Sequence, residues 1–484
     1  MTEPPNHRSL TRDFGHDDTI AAISTPPGRG GIGIVRLSGP DAVSIATQLI
    51  HLGAPPEHGR ARRARVLDPG DPTRTIDDAV VTIFLAPNSY TGEDIAEIAA
   101  HGSPVILDAL LRNALNHGAR LATPGEFTQR AFLSGRIDLT QAEAVHDLIA
   151  AQTLDQARVA AQQLGGALSR RIAPEKESLI YLIAVLEAGM DFASGELDDV
   201  DIVPPAQIAA SIAAVQQPLE ALAATFRSGQ LLRGGAAIAL IGPPNAGKSS
   251  LFNRLLERER AIVTPLPGTT RDTVEESLSL AGIPLRLIDT AGLRNATASA
   301  DSANFAGDSQ IGSLIDLAEE QGIARSREAL ADADLVLLVH DATQSLTPAE
   351  QHWAESLAGR PHVLIYNKID LLAEQDFSMQ RMAIPTSALT AAGLDDLRQA
   401  ILIQLGASGS LADTASLNNL RQQETITASL ASLATAAAAN SSALPHELIL
   451  LDLHAALRAL DSLTGATTPD DILARIFATF CIGK

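Results

Sequence analysis

The length of 484 residues predicts about three domains. Hydrophobic residues make up 45% of the chain and its mean hydropathy is +0.10, which is sufficient for packed cores. Its 57 acidic and 36 basic side chains give a net charge of −21, which excludes a protein that by itself wraps a nucleic acid by neutralising phosphates. With one cysteine, no signal-peptide stretch and no apolar run of about 18 residues, we expect a cytosolic protein without disulfides or membrane spans.

The N-terminal part, over 1–134, predicts an α+β domain. Residues 18–37, DTIAAISTPPGRGGIGIVRL, predict a strand, a Pro/Gly-rich loop and a second strand. The β-rich runs DDAVVTIFLA and EDIAEIAAHG follow, together with helical stretches such as PVILDALLRNALNHG. From 135 to 233 the sequence is alanine-rich, with helical periodicity, and predicts a helical domain.

An α/β domain is predicted over 234–407. The apolar run AAIALIG is followed by LRLIDTAG, DLVLLVHDA and HVLIYNK, with helical segments between them. This alternation indicates a mostly parallel sheet with helices on both faces. Alanine-rich helices return over 408–484, so the α/β domain is predicted to be inserted into a loop of the helical domain.

A phosphate-binding loop follows the first strand of the inserted domain. Residues 242–249, GPPNAGKS, match G-x-x-x-x-G-K-S between a strand and a helix, which is the context that this motif needs. Backbone N–H groups would surround the phosphates, Lys248 would reach the β- and γ-phosphate oxygens, and the Ser249 hydroxyl would bind Mg2+. The residues assigned to nucleotide binding here are Asn245, Ala246, Gly247, Lys248, Ser249 and Ser250.

Three later segments complete a GTP site. The carboxylate of DTAG can hold the outer shell of the metal, and its glycine N–H can face the γ-phosphate. The aspartate of NKID can accept hydrogen bonds from guanine N1–H and the exocyclic amine, which adenine does not present, and SAL places a backbone amide near guanine O6. The assigned residues are Asp289, Thr290, Ala291, Gly292, Asn367, Lys368, Asp370, Ser387, Ala388 and Leu389.

The segment TPLPGTTRD, between the phosphate loop and DTAG, has the composition of a switch loop. Thr270 can complete the Mg2+ shell while GTP is bound and release the ion after hydrolysis. Thr264 and Thr269 join the GTP contacts, and Lys248 and Thr270 are assigned to catalysis. The inserted domain is therefore predicted to be a Ras-like P-loop GTPase.

Along its whole length, the chain resembles the MnmE (TrmE) family of tRNA-modification GTPases. The resemblance rests on DTIAAISTPPGRGGIGIVRLSG, NSYTGED, PGEFTQRAFLSGRIDLTQAEAV, GPPNAGKSSLFN, PGTTRD and FATFCIGK. It implies that the N-terminal domain forms a homodimer and binds a tetrahydrofolate. It also implies an enzyme that, with the FAD-containing partner MnmG, adds a carboxymethylaminomethyl-type group to C5 of the wobble uridine of certain tRNAs. The partner would hold most of the tRNA in a heterotetramer-type complex.

The resemblance also implies ligand contacts. The folate contacts of the family carry over to Arg36, Glu97, Arg136 and Lys484, although some relatives have lysine where this chain has Arg136. Members of the family use K+ in place of an arginine finger, and its ligands would be Asn245, Thr264, Leu266 and Thr269. Cys481 is interpreted either as a small buried residue, which is the commoner fate, or as a thiol near the one-carbon chemistry.

One position departs from the family. Relatives generally place a glutamate directly after DTAGLR to orient the attacking water, whereas this chain has Asn295 and then an insertion over 296–321. An asparagine can orient water but cannot take a proton, so we predict slower hydrolysis. The insertion carries Asp316, Glu319 and Glu320, which stay open as replacements.

The GTPase motifs also fit two alternative functions. A ribosome-assembly GTPase that binds RNA usually carries a separate basic module, and none is evident in this acidic chain. A GTP-gated scaffold with weakened hydrolysis is the other alternative, because of Asn295. Modified nucleosides in tRNA and turnover of GTP would distinguish these functions from tRNA modification.

Overall fold

The structure is a computed structural model and describes residues 18–193, 203–259, 275–289, 333–372, 383–407, 416–467 and 470–483. The chain divides into two compact units. The first consists of Met1–His146 with Thr464–Lys484, and the second of Asp147–Leu463. The predicted segment boundaries at 134, 233 and 407 stay predictions.

The described part of the first unit is built on one mixed sheet with strand order β3-β4-β5-β6-β2-β1-β7. Neighbouring strands run antiparallel except β1 and β7, which are parallel. The strands β1 to β7 are Ile20–Ile23, Gly30–Ser38, Ile50–Leu52, Arg62–Asp68, Asp71–Phe84, Ile95–Gly102 and Arg120–Leu121.

Helices α1 (Ala42–Leu49) and α2 (Pro104–Asn116) contribute to the core on one face of this sheet. Because side chains alternate along a strand, Val35 and Leu37 point into this core, whereas the intervening Arg36 points to the opposite face. Arg36 lies directly opposite Glu97 in the β2–β6 register. The strand geometry thus brings together two residues that were predicted to bind folate.

Helices α3 (Glu126–Leu133), α4 (Leu139–Ala150) and, near the C-terminus, α14 (Asp470–Phe477) complete the first unit, which α4 leaves after His146. A second apolar cluster joins Leu139 and Ala142 to Leu473, Phe477 and Phe480. This cluster holds the end of the chain against the N-terminal part.

In the second unit, the helices of a helical part precede and follow the inserted sheet along the chain. Its helices are α5 (Leu154–Leu164), α6 (Ala167–Ala193), α7 (Pro205–Ala223), α8 (Phe226–Gly234), α12 (Leu420–Ser441) and α13 (His446–Thr464). In α7 the buried residues recur at helical spacing, as in Ile208, Ile212, Val215, Leu219 and Leu222. Leucines of α12 and α13 pack in the same core, which confirms the predicted helical domain.

The inserted sheet has the order β13-β12-β11-β8-β10-β9, and among its described strands only the β9–β10 pair is antiparallel. Strands β8 to β13 are Ala236–Ile241, Glu275–Leu280, Ile283–Asp289, Leu335–Asp341, His362–Asn367 and Ala383–Pro385. Helices α9, α10 and α11 are Lys248–Glu259, Pro348–Ser356 and Leu394–Leu405.

Both faces of this sheet are covered, as the sequence predicted. Ile238 and Leu240 of β8 belong to one apolar core, and the alternating Ala239 and Ile241 belong to another. The fold is therefore multidomain, with an α+β first unit and an inserted, mostly parallel α/β domain. Within the described ranges, no helix combines the length and the apolar character that a membrane crossing requires.

Candidate functional site

The loop between β8 and α9 has an unusual backbone. Gly242, Asn245 and Gly247 have φ angles of 150°, 65° and 89°, which glycine adopts far more readily than other residues. A Cβ on Gly242 would collide with the carbonyl oxygen of Val339, so β11 passes too close for any side chain. Helix α9 begins directly at Lys248, and the first N–H groups of a helix lack partners within it. This combination is typical of a phosphate cradle.

Lys248 supplies a positive charge at this loop. Its Nζ donates hydrogen bonds to the carbonyl oxygens of Gly242 and Pro243, each at 2.8 Å, and the residue is 8% exposed. The two serines that follow, Ser249 and Ser250, are exposed in the first helical turn. An ammonium, the first N–H groups of a helix and an accessible hydroxyl fit a magnesium-bound triphosphate.

Asn367 connects the phosphate loop to the segment 387–389. Its Nδ2 donates to the Ala246 carbonyl oxygen at 2.9 Å, and its Oδ1 accepts from the Ala388 N–H at 3.1 Å. The residue is 1% exposed, and a Cβ on Gly247 would collide with its amide nitrogen. One buried side chain thus holds together two segments that were predicted to contact different ends of the nucleotide.

Asp370 and Ser387 lie side by side, as a shared role in base recognition requires. The Ser387 hydroxyl donates to Asp370 Oδ1 at 2.5 Å, while its oxygen accepts from the Thr390 N–H at 3.0 Å. Ser387 is fully buried, whereas Asp370 is exposed. The serine therefore orients a carboxylate that stays accessible, a role that the sequence did not distinguish from direct contact.

Asp341 belongs to the site and was not predicted from the sequence. Its Oδ2 lies 2.7 Å from Lys368 Nζ, and its Oδ1 accepts from the N–H and hydroxyl of Thr343. Burial by itself would raise the pKa of Asp341, but the hydrogen bonds from Lys368 and Thr343 hold it below its ordinary value. A signal was present in the sequence, because this aspartate ends the strand next to β12, directly opposite Asn367.

Part of the predicted site lies outside the described residues. These residues are Thr264, Leu266, Thr269, Thr270, Thr290, Ala291, Gly292, Asn295 and Lys484. Asp316, Glu319 and Glu320 of the insertion lie outside them as well. Asp289 ends β10, where it pairs with Leu240 of β8, so the DTAG segment starts beside the strand that leads into the phosphate loop.

The first unit contains a separate polar cluster around Arg36. Arg36 Nε and Nη2 lie 2.8 and 2.7 Å from Glu97 Oε1, and Nη1 reaches the carbonyl oxygen of Gly483 at 3.5 Å. The guanidinium carbon lies 5.6 Å from the centre of the Phe127 ring. The cluster thus brings Arg36, Glu97 and the residue before Lys484 together, while Arg136 lies exposed in the turn after α3.

Of the two interpretations of Cys481, burial is wrong, because the residue is exposed. A role of its thiol near the one-carbon chemistry stays a prediction. The buried position at this point of the chain is taken by Phe480, which packs against Phe477 and Leu139.

Comparisons with known proteins identify the family and agree with the fold. A model of the MnmE helical domain matches residues 139–481, and a model of the GTP-binding protein TrmE N-terminus matches 19–136. The chain is 50% identical over 473 residues to the tRNA modification GTPase MnmE of Koribacter versatilis, which covers 97% of this chain and 99% of that protein. It is 41% identical over 481 residues to the protein of the same name from Chloroflexus aurantiacus, with 97% and 100% covered.

Among solved structures, the chain is similar to the G domain of the T. maritima FeoB iron transporter. That likeness has 26% identity and a TM-score of 0.23, and it covers 35% of this chain and 98% of the other. The relatives named MnmE match nearly from end to end. The chain therefore belongs to the MnmE family of tRNA modification GTPases.

Proposed function

We propose that the chain binds GTP between the phosphate loop and the segments 367–370 and 387–389, and that its hydrolysis serves the modification of C5 of the wobble uridine in certain tRNAs. The observation that carries the nucleotide site is Asn367, whose side chain joins the phosphate loop to Ala388. Contacts for the two ends of a nucleotide therefore lie within one connected set of hydrogen bonds.

In the proposed complex, Lys248 and the first N–H groups of α9 bind the phosphates, and Asp370 accepts from guanine N1–H and the exocyclic amine. Ser249 and Thr270 would hold Mg2+, which neutralises phosphate charge when bound. Asn245, exposed and with φ of 65°, would offer its side-chain oxygen to K+ together with Thr264, Leu266 and Thr269. Asn295 would orient the attacking water.

In the first unit, the pair of Arg36 and Glu97 supports a tetrahydrofolate site. A carboxylate and a guanidinium fit the donor and acceptor groups of a pterin ring, and Gly483 places the chain end beside them. Arg136 and Lys484 complete the proposed contacts. The chain would act in the cytoplasm as a homodimer with MnmG, which carries FAD and holds most of the tRNA.

The proposal is tested in a strain that lacks this chain. Nucleosides of its tRNA, measured by mass spectrometry, should lack the C5 modification of the wobble uridine, and the intact chain should restore it. Purified Asp370→Asn protein should hydrolyse xanthosine triphosphate in place of GTP, because the amide matches the carbonyl of that base. Hydrolysis of GTP by the intact chain should be faster in K+ than in Na+ at equal ionic strength.

Asp395→Asn is a suitable control. Asp395 is exposed in α11 and pairs with Arg398 in the same helix, and it is not one of the residues assigned to nucleotide binding. This variant should behave like the intact chain in all three measurements. Normal nucleosides in the deletion strain would contradict the proposed modification, and unchanged GTP use by Asp370→Asn would contradict the proposed site.

A further inference from the structure

Arg254, in the second turn of α9, contacts the backbone carbonyl groups of the segment 387–389. Its Nε donates to the carbonyl oxygen of Ala388 at 3.0 Å, and its Nη2 donates to that of Leu389 at 2.7 Å. Nη1 pairs with Glu257 one turn further along the helix at 2.6 Å. One guanidinium thus spans two successive carbonyl groups of the loop.

These bonds fix the loop more completely than either would alone. A peptide unit is planar, so one hydrogen bond to its N–H or C=O constrains the whole unit. Asn367 holds the unit that contains the Ala388 N–H, and Arg254 holds the two units that follow. Three consecutive peptide planes are therefore held by two side chains.

We propose that Arg254 is a specificity-determining positioning residue, which sets where the backbone of the segment 387–389 meets O6 of guanine. The inference rests on the proposed nucleotide site. Lys248 and Arg254 lie on the same helix, about 9 Å apart along its axis at 1.5 Å per residue. Helix α9 thus fixes the distance between Lys248, which is proposed to contact the phosphates, and Arg254, which contacts the segment 387–389.

The chemistry of arginine suits this role. Its planar guanidinium presents several N–H donors in a fixed fork, so two carbonyl oxygens can be held at once. A lysine ammonium lacks this geometry. Hydrogen bonds from a charged donor are also stronger than neutral ones.

A surface ion pair with Glu257 would be the simpler explanation for Arg254. Glu257 is 59% exposed, and exposed pairs of this kind contribute little to stability. The pair uses Nη1, whereas the two loop contacts use Nε and Nη2. Glu257→Gln therefore removes the ion pair while leaving the loop contacts, and it serves as the matched control.

The test compares GDP with 6-thioguanosine diphosphate, which differs only in having sulfur, a weak acceptor, in place of O6. The intact full-length chain and Glu257→Gln should both prefer GDP. In Arg254→Gln, we expect GDP to bind about ten-fold more weakly while the thio-nucleotide loses little, so that the preference falls. In steady-state hydrolysis, KM for GTP should rise and kcat should stay nearly constant, because the reaction occurs at the γ-phosphate.

Equal losses for both nucleotides with a lower thermal midpoint would show a purely structural role and overturn the inference. Unchanged binding of GDP by Arg254→Gln would also overturn it. The variant Asp370→Asn shows whether such a result concerns only the role of Arg254 or also the proposed nucleotide site. If Asp370→Asn weakens GDP and Arg254→Gln does not, only the role of Arg254 is wrong. If neither variant changes GDP binding, both assignments are wrong.

Discussion

The ion pair of Asp341 and Lys368 fixes the segment 367–370, which is proposed to recognise the base. The Asp341 side chain is 9% exposed, so loss of Lys368 would leave a nearly buried carboxylate with only the hydrogen bonds from Thr343. Lys368 itself has φ of 66°, a backbone conformation that costs free energy for a residue other than glycine. The carboxylate therefore helps to hold a strained residue in place before any ligand binds.

Asp341→Asn should destabilise the domain by about 1–2 kcal/mol at neutral pH, since a charge-assisted bond becomes a neutral one. The pKa of Asp341 is lowered in the folded state, so its contribution is present above the unfolded value of about 3.9 and is lost as pH falls through the folded pKa. The difference from the intact chain should thus be equal at pH 7 and pH 5. Denaturation followed by fluorescence of Trp353 in α10, the single tryptophan, measures it.

Asp395→Asn alters a carboxylate that is 86% exposed, so it should lower the free energy of unfolding by less than Asp341→Asn does. A difference that disappears between pH 7 and pH 5 would mean that Asp341 titrates in that range, contrary to its surroundings.

The residues proposed to contact a ligand were assigned from the sequence, but the residues that hold them in place were not. Lys248, Asn367 and Asp370 occur in short motifs because the nucleotide fixes their spacing. The residues that hold them in place are distant in sequence from their partners, and only the fold brings them together. Asp341 is 27 positions from Lys368, and Arg254 is 134 positions from Ala388. Asn295 lies outside the described residues, so the expectation of slow hydrolysis stays a prediction.

At the scale of elements, the β9–β10 turn is attached to the start of α5. The Thr153 hydroxyl donates to the Gly282 carbonyl oxygen at 2.7 Å, and Thr153 also caps α5 in a capping box with Gln156. Gly282 has φ of 85°, and a Cβ there would lie 2.7 Å from the Asp155 Cβ. The hairpin that precedes DTAG is thus fixed to the helical part of the same unit.

Gly282→Ala should destabilise the second unit by roughly 2 kcal/mol, because it adds a collision with Asp155 to the strain of a positive φ. Gly359→Ala is the matched control, since Gly359 has φ of 89° but open space around its Cα. It should cost only about 1 kcal/mol. Thermal unfolding followed by circular dichroism compares the two, and equal losses would mean that the contact with α5 contributes nothing.

Elements with a clear hydrophobic pattern were predicted from the sequence, whereas some short or polar strands were not. The uniformly buried β8 and β11 and the amphipathic α7 each show their pattern within their own residues. In contrast, β7 has two residues and exists only through its pairing with β1, and the arginine-rich β4 is defined by pairing with β3 and β5. Such strands depend on partners that are distant in sequence.

At the scale of the whole molecule, the described end of the chain belongs to the first unit. The Gly125 N–H donates to the Cys481 carbonyl oxygen at 3.4 Å, and Arg36 reaches that of Gly483. Gly483 has φ of 95°, and a Cβ there would lie 2.5 Å from the Ile23 carbonyl oxygen. Composition alone could not reveal that these residues belong to the first unit, because residues 464–484 continue the helical pattern of the residues before them. The family resemblance indicated this contact, since it assigns Lys484 to the folate site of the N-terminal domain.

Deleting residues 481–484 should abolish tRNA modification and spare GTP hydrolysis. The deletion removes the Gly483 carbonyl beside Arg36 and the proposed folate contact Lys484, whereas the residues proposed to contact the nucleotide all belong to Asp147–Leu463. Nucleoside mass spectrometry and a GTP hydrolysis assay on the same variant measure both activities. Ile482→Ala keeps the tail and changes only an exposed side chain, so it should retain both. If the deletion removes both activities and lowers the thermal midpoint, the tail is needed for folding, and its assignment to the folate site is wrong.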